Sequence, residues 1–138
     1  MRRLLVIAAV AALVGTGIAV TAASGQVVSK FSVVAVARHE HTVGNTDVIG
    51  GVLKPVGGGG VIGRFKIKET PLSGGREREH ANTFFRGEGL IKFKGVEGAG
   101  DNRLQIVGGT GVWNGASGKV LTRGLSERRE LLTYTVVQ

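Results

Sequence analysis

Apolar and polar residues alternate with a period of two along most of this chain, the spacing of β-strands that cover one face. Val61–Lys68 shows it most cleanly: Val61, Gly63, Phe65 and Ile67 fall on one side, Arg64, Lys66 and Lys68 on the other. Leu90–Lys94 repeats it, with Ile91 and Phe93 set against Lys92 and Lys94. Val27–Arg38 differs. Phe31, Val33, Ala35 and Ala37 line one face, while Val34 and Val36 make the other apolar too, as in a strand covered on both sides. Five further spans, Thr46–Leu53, His80–Phe85, Leu104–Val107, Ala116–Arg123 and Leu131–Val137, bring the count to eight strands. Turn residues separate them: Lys54-Pro55 with Gly57–Gly60, Pro71 with Gly74 and Gly75, Arg86–Gly89, and Gly98 with Gly100.

Eight strands joined by short turns, with no helical period after residue 25, predict an all-β fold: one eight-stranded antiparallel β-barrel over residues 26–138. Such a barrel is just wide enough to be filled by side chains or to hold one small ligand. The phases place Phe31, Phe65, Phe84 and Phe93 inside, with small Ala116 and Gly118 on the seventh strand leaving room beside them. Val34 and Val36 on the outside of the first strand suggest a subunit contact, hence a homo-oligomer, dimer or trimer.

The stretch Leu104–Leu121, LQIVGGTGVWNGASGKVL, adds a specific signal. A strand runs into Gly108-Gly109-Thr110-Gly111, then Trp113, then Gly115-Ala116-Ser117-Gly118 and a new strand. This order resembles the C-terminal signature of the allene oxide cyclase barrel and of dirigent proteins, and the match extends from about Thr83 to Tyr134. The resemblance implies an eight-stranded barrel that holds an apolar small molecule and steers its cyclisation or isomerisation, often as a trimer. It implies no cofactor. Two departures stand out: the dirigent Asp-Asp-Pro element has no counterpart, His39-Glu40-His41 standing roughly in its place, and the cyclases' cysteine is missing.

The first residues read differently from the rest. Arg2-Arg3, an apolar run over Leu4–Val14 that continues to Val20, and small residues through Ala23 make a secretory signal peptide over 1–25, cleaved after Ala22 or Ala23. An uncleaved membrane anchor is the alternative, since Leu4–Ala23 is about long enough to span a bilayer. The expected location is therefore secreted or extracellular. The chain has no cysteine, so an exported domain holds together without disulfides. Lys and Arg number 18 against 10 Asp and Glu, and losing Arg2 and Arg3 leaves a charge of +6. That balance suits solubility or contact with an anionic envelope surface. Basic residues spread along the chain with few aromatics among them argue against nucleic-acid binding.

No G-x-S-x-G, phosphate loop or metal-ligand helix motif occurs, and no metal or cofactor site is expected. Candidate chemistry lies at strand ends. Alternation carries His39 and His41 to the inner face at the barrel mouth, with Glu40 and Asp47 close by in sequence; together they are the candidate acid–base group. Phe65, His80, Asn82, Phe84, Trp113 and Tyr134 are the candidate ligand-binding residues. His80 and Asn82 face the lumen if Phe84 does, and water if it does not. Arg76-Glu77-Arg78-Glu79 reads as a solvated, self-neutralising run. Three functions fit: a steering protein for an apolar ligand, a non-catalytic carrier, or a basic envelope protein with a filled barrel.

Overall fold

The computed structural model describes residues 19–23 and 25–138. The strands are β1 (Ala19–Ala23), β2 (Gln26–Val43), β3 (Thr46–Pro55), β4 (Gly63–Pro71), β5 (Glu77–Phe85), β6 (Gly89–Glu97), β7 (Asn102–Gly109), β8 (Ser117–Ser126) and β9 (Arg129–Val137). From β2 onward each strand pairs antiparallel with the next, and β9 returns to β2 from Val28↔Val137 to Val36↔Arg129. The barrel is therefore closed and has eight staves, as the alternation predicts. β1 pairs with Gln26–Lys30 of β2, and closure runs through β2 and β9 without it. Of the export segment expected over 1–25, residues 1–18 and 24 lie outside the described residues.

One half of the lumen is filled with rings. Phe31 stacks on Tyr134 with centroids 4.8 Å apart and meets Phe85 edge-on at 5.7 Å and Trp113 at 5.4 Å. Phe93 closes on Tyr134 at 6.1 Å. Burying each ring contributes roughly 1.5–3 kcal/mol, so this end supplies much of the stability. Tyr134 donates its hydroxyl hydrogen to Thr83 Oγ1 at 3.0 Å, and Thr83 donates onward to the Ile91 carbonyl at 3.2 Å. These two buried hydroxyls are thus satisfied in a chain, whereas the Trp113 indole N–H in the same cluster has no hydrogen-bond partner.

The turn after β7 caps this end. Trp113 N–H donates to the Thr110 carbonyl and Val112 N–H to the Glu88 carbonyl, so the turn is tied both to itself and to the β5–β6 loop. Gly111 sits at φ +63, and a Cβ there would run into the Glu88 carbonyl oxygen. The glycines of the signature stretch build a plug that seats Trp113.

Two phases differ from those the sequence predicts. In β5 the inward residues are Glu79, Ala81, Thr83 and Phe85, so Phe84 lies outside, 39% exposed, and His80 and Asn82 go out with it. Adjacent phenylalanines leave the phase ambiguous, and the buried Thr83 hides it further. In β2 a β-bulge at Arg38 interrupts the alternation: Ala37 pairs with Gly51, but His39 pairs with Gly50. One extra residue moves every later side chain to the opposite face. His39 and His41 therefore lie on the outer face, correcting their expected place in the lumen, while Glu40 and Thr42 take the inner phase opposite Ile49 and Asp47.

Candidate functional site

A groove on the outer face gathers half of the residues nominated from sequence. Across β2, β3, β4 and β5 the register sets His39, Gly50, Lys66 and Asn82 in one row. Gly50 has no side chain to offer, and the imidazole of His39 lies where its Cβ would be. The sheet is thus hollow at that point. The hollow has a volume of about 460 Å3 and is walled by His39, His41, Arg64, Lys66, Asn82 and Phe84. Phe65, an interior side chain, reaches it at Gly51, whose missing Cβ would stand 2.8 Å from the ring. Arg64 lies over the Phe84 ring with its guanidinium carbon 5.1 Å from the centroid, an exposed cation–π pair of about 0.5–1 kcal/mol. The groove therefore offers ring faces beside two permanent cations.

The acid–base group expected from sequence does not assemble as a unit. His39 and His41 line the outer groove. Glu40, together with His39, lines a second depression of about 450 Å3 at the barrel rim, with Arg38, Glu127 and Arg128. Asp47 accepts a hydrogen bond from Thr42 Oγ1 at 2.6 Å. Of the expected ligand-binding residues, Phe65, Asn82 and Phe84 reach the groove, His80 stands one row away on the same outer face, and Trp113 and Tyr134 belong to the sealed aromatic end.

The other end of the lumen holds a cluster that the sequence reading passes over. The inward phases of β4, β5, β6 and β9 end on Glu69, Glu77 and Glu79, Glu97, and Glu130. Glu69 pairs with Glu79 across the sheet, directly above the Ile67–Ala81 pair. The run Arg76–Glu79 is thus no solvated stretch: Glu79 is 1% exposed, while Arg78 alternates outward. Thr122, itself buried, donates to Glu97 Oε1 at 2.7 Å. Among the described residues the ion pair formed is Arg123 with Asp101, on the outer surface. Burial, then hydrogen bonding with Glu97 and the charges of Glu97, Glu130 and Glu69, drive the Glu79 carboxyl far above the usual carboxylate range. Glu69 rises for the same first cause, reinforced by Glu77, Glu97 and Glu130, and Glu130 rises to about 7 by burial and then Glu97. Counting inward positions to the last residue of each strand is the signal that finds this cluster.

No protein-family profile and no curated protein matches this chain. Among solved structures it is similar to pyocyanin demethylase, with a TM-score of 0.59 and 14% identity over 77% of this chain and 98% of that one. At that identity the likeness is one of fold. It supports a barrel and does not extend to membership of the allene oxide cyclase or dirigent families, so the chain stands as a closed eight-stranded antiparallel barrel with a distant structural neighbour.

Proposed function

We propose that this protein is an exported small-molecule-binding barrel whose ligand sits in the outer groove at Gly50. The observation that carries the reading is the hollow itself: about 460 Å3, lined by Phe84 and Phe65 together with Arg64 and Lys66, the Arg64 guanidinium lying over the Phe84 ring. That combination suits a flat, largely apolar body bearing an anionic group, because the rings cover the body and the cations answer the charge. The aromatic half of the lumen is occupied by its own side chains, so the ligand expected there from sequence moves to the outer face. The structurally similar barrel is named for the demethylation of pyocyanin, which accords with small-molecule binding by this fold. Steering of a cyclisation or isomerisation, which the resemblance of Leu104–Leu121 implies, would fall to His39 and His41 at the groove wall. Export rests on the order Arg2-Arg3, Leu4–Val14 and Ala22-Ala23.

Titration calorimetry with 2-naphthoate, against naphthalene methanol as the uncharged match, tests this reading. The carboxylate should bind to wild type, bind at least about tenfold more weakly to Arg64→Ala or Phe84→Ala, and prefer wild type over either variant while the uncharged compound loses the Arg64 effect. Binding indifferent to both substitutions would remove the groove as the site. A groove occupied by a second copy of the chain would show instead as a dimer disrupted by Phe84→Ala with no naphthoate heat.

A further inference from the structure

We infer that the acidic end of the lumen is a binding site for a hard divalent cation of the calcium class, held by Glu69, Glu79 and Glu97. One carboxylate oxygen from each of these residues lies within 4.8 Å of the other two. Calcium–oxygen distances of about 2.3–2.6 Å place oxygens on opposite sides of one ion about 4.6–5.2 Å apart, so a single ion spans the set. The donors are all oxygen, with no histidine or cysteine among them, which selects calcium, magnesium or manganese over zinc or copper.

A cluster of acids alone would not carry this, since exposed acids gather often. Here Glu79 is 1% exposed, its Oε1 has no hydrogen-bond partner, and one of its carboxylate oxygens lies within 4.8 Å of an oxygen of each of the other two. Glu130 Oε1 is a second buried oxygen without a partner, close enough to act electrostatically on Glu79. A buried carboxyl becomes an anion near neutral pH only beside a positive charge, which folds commonly supply with a facing lysine or arginine. On the same strands Lys66, Lys68, Lys92 and Lys94 all alternate outward and are exposed. A bound cation supplies the missing charge. Thr122 holds one oxygen of Glu97, which orients that carboxylate and leaves its other oxygen for the ion. Glu69 and Glu97 are half-exposed at the barrel mouth, which gives the ion a way in. The site is separate from the outer groove, and its failure would leave the ligand reading untouched.

The test uses the full chain stripped with chelator and dialysed into metal-free buffer. Calorimetry with calcium chloride should give about one ion per chain with a Kd of roughly 1 mM or tighter. Calcium at 5 mM should raise the melting temperature by several degrees, whereas sodium chloride of equal ionic strength should not. Glu79→Gln, an isosteric change that removes one charge, should weaken calcium at least about tenfold, and Asp101→Asn on the outer surface should leave it unchanged. If Glu79→Gln does not fold, Glu97→Gln at the half-exposed mouth takes its place. No heat and no shift with calcium, magnesium or manganese would overturn the inference. So would calcium binding that survives the lumen substitutions, or that Asp101→Asn abolishes.

Discussion

The same substitution, glycine to alanine, should have opposite consequences at two positions, and the contrast tests how this barrel is built. At Gly111 the backbone stands at φ +63, where an L side chain costs about 1–2 kcal/mol. The new Cβ would also strike the Glu88 carbonyl oxygen, which is backbone and accepts the Val112 N–H at 2.8 Å. Weakening that hydrogen bond adds about 1 kcal/mol, giving roughly 2–3 kcal/mol in all. At Gly50 the backbone is not left-handed, and the Cβ would meet only the far end of the exposed His39 imidazole, which can swing away. Lower chain entropy in the unfolded state favours alanine by about 0.4–1 kcal/mol, so the net stability change should be close to zero. A domain of this size shifts by about 4 °C per kcal/mol. Gly111→Ala should therefore melt about 8–12 °C below wild type by far-ultraviolet circular dichroism. Gly50→Ala should melt within about 4 °C of wild type, yet lose affinity for 2-naphthoate because the hollow is filled. Equal melting temperatures for the two variants would refute the argument that the signature turn is a structural plug and the Gly50 hollow a functional one.

Tyr134→Phe removes the donor to Thr83 Oγ1 and should cost about 1 kcal/mol, read as a melting temperature about 4 °C lower; an unchanged value would mean that the buried hydroxyl chain contributes nothing. In metal-free protein, stability should fall as pH rises from 5 to 8. Glu79 faces Glu69, Glu97 and Glu130, and its carboxyl is raised in the folded state, so the unfolded chain releases that proton first, near 4.5. The contribution is complete below that value and is lost as pH climbs toward the folded one, at up to about 1.4 kcal/mol per pH unit for each proton. The urea midpoint should track this fall, with a flatter profile in Glu79→Gln; a midpoint that rises over the same range would contradict the buried-acid picture. Protein recovered from the medium of an exporting host should begin between Ala23 and Gln26, and a membrane fraction retaining Met1 would favour the anchor.

The eight staves were legible because alternation over four or more residues survives burial of one face, as in Val61–Lys68 and Leu90–Lys94. Phase was less secure. It turns on single residues that alternation cannot see: Arg38, which enters β2 as a bulge and carries His39 and His41 outward, and Thr83, which takes an inward place that Phe84 was expected to share. The groove still drew together five of the ten nominated residues, because those residues sit on neighbouring strands at matching heights. The acidic lumen was missed for a different reason. Arg76-Glu77-Arg78-Glu79 looks balanced when read along the chain, but a strand sends its odd and even positions to opposite faces, so the two glutamates part from the two arginines.

That separation runs through the whole barrel and divides its work. On β4 and β6 the outward phase carries Lys66, Lys68, Lys92, Lys94 and Arg64, while the inward phase ends on Glu69 and Glu97. The positive exterior and the negative lumen are therefore two products of one alternation. Aromatic packing at the Trp113 end holds the staves together. The acidic end does the reverse: five inward carboxylates repel one another, and barrel closure forces them within reach. A fold selected for stability alone would place leucine or valine at Glu79, which sits directly above Ile67 and Ala81. Where local pattern and stability disagree in this way, a functional site is the physical explanation. The proposed cation would sit in the half of the lumen that the rings do not fill.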